Sequence, residues 1–217
     1  MKNGDFIQID YVGKIVESGE IFDLTKEDLA KEKGLHNPNF KYGPIPVIIG
    51  ANFVVKGLDN SLKEMQVGDK KNITIKPEDA FGERDANFIK LIPLTEFKKQ
   101  GITPYPGMFV TISRLNGRVL SMAGGRIRVD FNHPLAGKMI EYEVEIKNQI
   151  TDVKEKIDAI LNFYLKLKEG DVIITIDKET AEINIKVDVS KLVKNTVADT
   201  IKKWVSEIKK VRFVDDY

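Results

Sequence analysis

The sequence contains no cysteine, which excludes disulfide bonds, thiolate metal sites and thiol nucleophiles together. It also lacks any run of about 18 apolar residues that could span a bilayer, and its opening stretch MKNGDFIQID lacks the apolar core of a secretory signal. The formal net charge is only +1, so the overall charge favours neither nucleic acid nor an anionic membrane as a partner. These features predict a soluble cytoplasmic protein that does not bind membranes.

Histidine is nearly as scarce. The chain has two, His36 and His133, and they lie too far apart in sequence to form a metal-ligand spacing. No metal site is therefore expected.

Charge is distributed unevenly along the 217 residues, which are enough for more than one domain. Residues 86–131 contain seven Lys and Arg against two Asp and Glu, a local net charge of +5. Residues 151–217 contain thirteen of each sign, and the remainder, 1–85 with 132–150, carries a net charge of −4. We therefore predict three blocks, with the second inserted into the first.

The first block has the pattern of an antiparallel sheet with a short helix. FIQIDYVGKIV alternates, with Ile7, Ile9 and Tyr11 on one face. TKEDLAKEKG is typical of a short helix with Thr25 as its N-cap and Gly34 beyond its end. PVIIGANFVVKGLDNSLKEM runs from an apolar strand through a tight turn into helical spacing, and GKMIEYEVEIKNQ predicts a last strand.

The other two blocks are smaller. In the second, LTEFKKQG predicts a short helix, and GMFVTISRLNGRVLSM predicts a hairpin with a type I′ turn at Asn116-Gly117. The third predicts a helix, two strands, a second helix that begins near a cap at Ser190, and a closing strand VRFV. Its apolar helix surface would suit pairing with a second copy of the chain or with another protein.

Three stretches together resemble the FKBP-type peptidyl-prolyl cis-trans isomerases: DYVGKIVESGEIFD, then PVIIGANFVVKGLDNSLKEMQVGDKKNITIKPEDAFGE, then NHPLAGKMIEYEVEI. The insertion between FGE and NHPLAGK resembles the insert-in-flap domain of the SlyD-like branch, and the third block resembles the extra domain of long archaeal members. The resemblance implies an α+β fold in which a curved antiparallel sheet wraps a short helix. It adds a small β-rich inserted domain (86–131) and a C-terminal α+β domain (151–217) to an isomerase domain of residues 1–85 and 132–150.

The resemblance also implies an apolar pocket for a proline ring, formed around the strand-to-helix turn. Eight positions match the family's pocket motif: Tyr11, Phe22, Asp23, Val54, Val55, Leu58, Phe81 and Tyr142. Ile45 and Val47 match two further positions more loosely, and His133 and Leu135 are expected near the pocket mouth. Without the family pattern, Asp23 would be a turn residue, and four others would be ordinary core residues: Phe22, Val54, Leu58 and Tyr142. Because they occur in the same order as in the family's pocket motif, we expect them to form a binding site.

Two positions depart from the family pattern. Leu58 stands where a tryptophan is common, and Phe81 stands where a tyrosine hydroxyl can bond the ligand. Both changes keep the site apolar, so we expect weaker macrolide binding with proline turnover retained. The implied chemistry needs no cofactor, nucleophile or acid-base pair. The histidine-rich tail of some SlyD-like proteins is replaced here by RFVDDY.

The basic insert allows two interpretations. Its cations and aromatic rings could contact phosphates and stack bases. Exposed Met108, Phe109, Leu120 and Met122 could instead form an adaptable apolar surface for unfolded chains, although some must also form the insert's own core. The resemblance favours unfolded or proline-containing polypeptides over nucleic acid.

We therefore expect a folding helper that isomerises X-Pro bonds while the insert holds unfolded segments, and in which the third block adds a second holding surface or a homodimer contact. The alternatives are a holdase chaperone with little catalysis and a ribosome-associated or RNA-binding module.

Overall fold

A computed structural model describes residues 1–165, 167 and 170–214. The chain forms two compact units, one of Met1–Thr74 with the described residues from Glu141 onward, the other of Ile75–Ile140. The elements up to the insert are β1 Phe6–Ile15, β2 Ile21–Leu24, α1 Glu27–Glu32, β3 Ile45–Ile48, α2 Lys56–Lys63 and β4 Lys70–Ile75. The insert contains β5 Ile89–Pro93, α3 Leu94–Lys99, β6 Phe109–Ile112, β7 Leu115–Ala123 and β8 Arg126–Asp130. The chain then continues through β9 Ile140–Ile150, α4 Val153–Leu165, β10 Val172–Asp177, β11 Thr180–Ile185, α5 Lys191–Trp204 and β12 Lys210–Val214.

A five-stranded sheet is the frame of the first unit. Its order is β2-β1-β9-β4, and β3 pairs with the first half of β1 while β2 pairs with the second half. Ile7 lies opposite Val47 and Ile9 opposite Ile45, so these apolar side chains share one face with Tyr11. This agrees with the predicted α+β class and antiparallel sheet.

Helix α2 follows the predicted strand-to-helix turn. It buries Leu58 and Leu62, which lie four residues apart on one face. The amino group of Met1 donates to the carbonyl oxygens of Lys63 and Met65 at the helix end, at 2.7 and 3.3 Å. The N-terminal segment therefore helps to close α2 as well as to lead into β1.

The C-terminal part contains a three-stranded sheet, β10-β11-β12, together with α4 and α5. Ser190 is the N-cap of α5, as predicted, and accepts from the N–H of Val193. The buried core of this part is continuous with Phe6 and Ile48 of the first block. Among the described residues, no helix is both long and apolar enough to cross a membrane.

The second unit contains a four-stranded sheet of order β5-β8-β7-β6. One face of the sheet carries a small core. Helix α3 contributes the fully buried Phe97, and the strands contribute Val110, Val119, Ile127 and Val129. The predicted helix LTEFKKQG is thus present as α3. Its buried ring gives a sheet of only four short strands a second layer to pack against.

Thr25 is not the N-cap of α1, contrary to prediction. Lys26 takes that position without a side-chain hydrogen bond. The Thr25 hydroxyl is buried and instead accepts from the N–H of Tyr11 at 2.9 Å and donates to Asp10 at 2.8 Å. Because its strand partners satisfy it, Thr25 ties β2 to β1 rather than starting a helix.

The hairpin turn of the insert was predicted three residues too late. The two residues between β6 and β7 are Ser113 and Arg114, with φ of 51° and 66°, which is the left-handed pair of a type I′ turn. Asn116 and Gly117 lie within β7. A Cβ at Gly117 would lie 2.7 Å from atoms of both Phe131 and Val129, so this glycine serves close packing rather than chain reversal.

Candidate functional site

Three of the predicted site residues form a cluster of aromatic rings. The rings of Tyr11 and Tyr142 meet edge to face, with centroids 5.5 Å apart at 74°. Phe22 meets Tyr142 in the same way, at 5.7 Å and 84°. Tyr11 and Tyr142 are buried while Phe22 is half-buried, so the cluster has an apolar interior and one more accessible member.

The position of the Phe22 ring depends on a glycine. A Cβ at Gly13 would lie 2.6 Å from Cζ of Phe22 and 3.0 Å from a ring carbon of Tyr142. Gly13 lies opposite Asp23, where the β1–β2 register shifts. The Phe22 ring occupies the space that a side chain at position 13 would fill. The sequence pattern did not identify Gly13, because a lone glycine in an alternating strand also fits a bulge.

Asp23 joins the cluster through a hydrogen bond. The hydroxyl of Tyr11 donates to Oδ2 of Asp23 at 2.6 Å. Burial raises the pKa of Tyr11 far above its ordinary value, and the Asp23 charge and hydrogen bond raise it further. Burial, followed by the same charge, also raises the pKa of Tyr142. Both tyrosines therefore stay protonated, and Tyr11 holds the carboxylate in place beside the rings.

The strand-to-helix turn contributes the next predicted residues. Val55 is the N-cap of α2 with extended backbone angles, and its carbonyl accepts from the N–H of Asp59 at 3.0 Å. Val54 and Val55 are half-buried, whereas Leu58 is fully buried in the first turn of the helix. The Val55 N–H thus lies ahead of the first helical turn, where backbone donors have no partner within the helix.

The two looser matches lie on β3. Val47 is buried and Ile45 is half-buried, and both share the sheet face of Tyr11. The face on which the rings cluster therefore continues through Ile9 and Ile7 along β1 as an unbroken apolar surface. Ile45 and Val47 stay predicted binding residues.

Phe81 and His133 come together within the second unit. Their rings stack with centroids 4.6 Å apart and planes 2° apart. The N–H of Leu135 donates to Nδ1 of His133 at 3.2 Å. The backbone of Leu135, the third predicted residue, is thus hydrogen-bonded to the same imidazole. The sequence spacing did not predict that these three residues contact one another.

The four predicted binding residues of the insert differ in exposure. Phe109 is 70% exposed and Met122 40% exposed, as expected of a binding surface. Met108 is half-buried against the insert core, which corrects its assignment as an exposed residue. Leu120 is also half-buried, at the point where the β7–β8 register shifts. Some of the four do serve the insert's own packing.

The outer face of the insert sheet places Phe109 together with four residues that sequence analysis did not single out. Opposite the Phe97 core, Leu91 pairs with Arg128, and Phe109 pairs with Arg118, whose guanidinium lies 5.7 Å from the Phe109 ring centroid. Arg126 follows on the same face of β8, and Leu91 is 64% exposed. We call these five residues the outer face. The register of four strands was needed to find it, and the sequence alone shows only the local +5 charge.

Two protein-family models match parts of the chain. A model described as FKBP-type peptidyl-prolyl cis-trans isomerase matches residues 1–96, and one described as FKBP26, IF domain, matches residues 90–135. The chain is 30% identical over 148 residues to a short-type peptidyl-prolyl cis-trans isomerase of Methanocaldococcus jannaschii, covering 68% of this chain and 93% of that relative. It is 29% identical over 113 residues to the FKBP-type peptidyl-prolyl cis-trans isomerase SlyD of Helicobacter pylori, covering 50% of this chain and 60% of the relative. A 16 kDa FKBP-type isomerase of Escherichia coli is 30% identical over 103 residues, covering 45% of this chain and 68% of the relative.

Proposed function

The chain belongs to the FKBP-type peptidyl-prolyl cis-trans isomerases, and we propose that it isomerises X-Pro bonds of unfolded polypeptides. The proposed site is the ring cluster of Tyr11, Phe22 and Tyr142. The observation that carries the proposal is the edge-to-face packing of Tyr11 and Phe22 on Tyr142, with Asp23 held at their margin by the Tyr11 hydroxyl.

The reaction suits an apolar site because no covalent bond is made or broken. An X-Pro peptide bond has partial double-bond character and a barrier of ~18–20 kcal/mol, so uncatalysed exchange takes tens to hundreds of seconds. Twisting the bond breaks amide resonance and leaves a less polar carbonyl than the planar state has. Surroundings poor in water and lined by Tyr11, Phe22 and Tyr142 would therefore favour the twisted state. A thousandfold acceleration needs only about 4 kcal/mol of such a difference.

Two polar groups would orient the substrate. The N–H of Val55 would bind a substrate carbonyl, which is consistent with its place ahead of the first turn of α2. Asp23 would orient polar groups at the margin, since the short bond from Tyr11 fixes one of its oxygens. Phe81, His133 and Leu135 stay predicted members of the site on the strength of the family resemblance.

We further propose that the insert holds unfolded segments through the apolar members of the outer face. Leu91 and Phe109 are mostly exposed on the two edge strands of this face, with Arg128 and Arg118 on the strands between them. A client segment that lies across the sheet would therefore meet an apolar side chain at each edge and cations in the middle. Holding a client on the same chain as the ring cluster would raise the local concentration of its prolines. The holding surface or homodimer contact of the C-terminal part, the weak macrolide binding and the cytoplasmic location stay predictions.

The test measures two substrates side by side. Cis-to-trans exchange of a short proline peptide reports catalysis alone, whereas refolding of a protein limited by a proline also needs client binding. We expect the full chain to accelerate both, with the higher kcat/KM on the protein. Aggregation suppressed without acceleration of either substrate would establish the holdase alternative, and salt-sensitive RNA binding would support the ribosome-associated one.

A further inference from the structure

The turn between β3 and α2 is covered by aromatic rings from the C-terminal part. Phe53 stacks on Phe163 of α4, with ring centroids 3.8 Å apart and planes 15° apart. The edge of Tyr164 meets Phe53 at 6.5 Å and 88°, and Phe163 at 5.2 Å and 85°. Three rings from two distant parts of the sequence thus form one cluster. Its member Phe53 directly precedes Val54 and Val55 in the sequence.

The turn is fixed at its ends by the isomerase part itself. The N–H of Gly50 donates to Oδ1 of Asp59 at 2.8 Å, and the carboxylate of Asp59 also pairs with Lys63 at 3.1 Å. At the other end, the Val55 carbonyl accepts from the N–H of Asp59. Asp59 therefore holds both ends of the turn from inside. Between them, the N–H of Ala51 donates to the carbonyl of Ile48 at 3.2 Å.

Two residues of the turn have positive φ. Gly50 and Asn52 have φ of 82° and 59°, and positive φ is uncommon outside glycine. A positive φ at a residue other than glycine persists only where surrounding contacts fix it, and Ala51 and Phe53, on either side of Asn52, pack against the core shared with the C-terminal part. Phe53, next to Asn52, is the residue of this segment whose ring contacts another part of the molecule.

Phe163 does not belong to the buried core of its own domain. Its side chain is 41% exposed and Tyr164 is 37% exposed, whereas Ile157, Ile160 and Leu161 of the same helix are fully buried. The C-terminal part is attached to the first block by those buried residues, which share a core with Phe6 and Ile48. The ring of Phe163 is therefore not needed to attach the domain, yet it lies flat on the turn.

We propose that Phe163 is a positioning residue for the isomerase site: it holds Phe53, and through it the neighbouring Val54 and Val55, in the conformation that the substrate meets. This inference rests on the proposed function of the turn. Phe163 acts through Phe53 and does not itself contact the substrate. The C-terminal part would thus contribute to catalysis, in addition to the predicted holding of clients or pairing of subunits.

The experiment compares Phe163→Ala with Phe213→Ala in the full chain. Phe213 lies on β12, packs partly buried against the core of the C-terminal part, and has Lys194 over its ring. It thus offers the same chemical change in the same domain, away from the turn. A third variant, Phe163→Tyr, keeps the stacking ring. Measurements are made at a temperature where thermal unfolding shows every variant folded.

Two readouts are taken on each variant. The first is kcat and KM on a short proline peptide, and the second is hydrogen exchange of the Asp59 amide, which donates to the Val55 carbonyl. We expect Phe163→Ala to lower kcat about fivefold with a smaller change in KM, because a misplaced binding group costs turnover. Exchange at Asp59 should accelerate in the same variant. Phe213→Ala should stay within about twofold of the wild type in both, and Phe163→Tyr should restore both.

Equal effects of Phe163→Ala and Phe213→Ala would overturn the proposal, since they would indicate general loosening of the domain. Unchanged exchange at Asp59 in Phe163→Ala would overturn it as well. The proposed function fails separately, if the wild type does not accelerate peptide exchange. The Asp59 amide then still shows whether Phe163 holds the turn.

Discussion

The ring cluster and the outer face of the insert carry aromatic side chains in opposite ways. At the ring cluster, Tyr11 and Tyr142 are buried and meet edge to face, and a glycine makes room for a third ring. On the outer face, Phe109 is 70% exposed, and the guanidinium of Arg118 lies over its ring. A packed cluster suits a small group that must be held in one geometry, whereas an exposed face suits chains of many sequences. The proposed isomerase site and the proposed client-holding surface should therefore be separable by mutation.

The largest effect is expected from glycine substitutions that separate the two regions. Gly13→Ala would place a methyl group where the Phe22 ring lies, and the displaced ring should lower kcat/KM on a short peptide by about 100-fold. The matched variant Gly117→Ala crowds Phe131 and Val129 in the insert core and should leave peptide turnover within about twofold. Peptide kinetics of both variants provide the check, and equal losses would mean that the regions are not separable.

A smaller effect, confined to one substrate, should follow from changing the outer face. The double variant Leu91→Ser with Phe109→Ser removes its apolar members and should lower activity on an unfolded protein about tenfold, with peptide turnover unchanged. Leu192→Ser, at a 76% exposed position of α5, is the control. An equal loss in the control would assign client holding to the C-terminal part instead.

A change within the ring cluster should weaken catalysis moderately on both substrates. Tyr11→Phe keeps the ring but removes the hydroxyl that donates to Asp23. Losing a hydrogen bond to a charged group is expected to cost about 1.5–3 kcal/mol of stability, and the freed carboxylate should lower turnover about fivefold. Thermal unfolding and kinetics on both substrates are the measurements. A loss seen with the protein substrate alone would contradict this assignment.

The smallest effect concerns pH. In the folded state, burial raises the pKa of Tyr11 and Tyr142 above the ordinary value of 10.0. As the pH rises, the two hydroxyls therefore lose their protons at a lower pH in the unfolded state than in the folded state. The free energy of unfolding should therefore be unaffected by these groups below pH 10.0 and should fall as the pH rises above it. Denaturant titrations of the wild type and of the Tyr11→Phe, Tyr142→Phe double variant test this. A decline of equal steepness in both would show that the two tyrosines are not its source.

The sequence predicted the elements whose pattern is local. Alternation identified β1 and β9, and Ser190 identified the start of α5, because these signals depend on neighbours in the chain. Thr25 and Gly117 misled for the opposite reason: a buried partner decides what each does, and their partners Asp10 and Phe131 lie about fifteen residues away in sequence. Turn chemistry predicted the right turn type but the wrong residues.

The candidate site was predicted through the ordered motif rather than through chemistry. Tyr11, Phe22, Asp23 and Tyr142 do meet, yet no periodicity places a residue of β9 against one of β2. The stack of Phe53 on Phe163 could not be predicted at all, because 110 residues separate its members. Only the pairing of the strands and the docking of α4 bring such residues together.

Peptide turnover in three single variants tests the central claim most directly. Tyr142→Ala and Asp23→Ala change the ring cluster, and Tyr105→Ala makes the matched change at a 62% exposed position of the insert. With all three folded by circular dichroism, we predict that the first two lose at least about tenfold in kcat/KM and the third stays within about twofold. Equal activity of Tyr142→Ala and Tyr105→Ala would contradict the assignment of catalysis to the ring cluster.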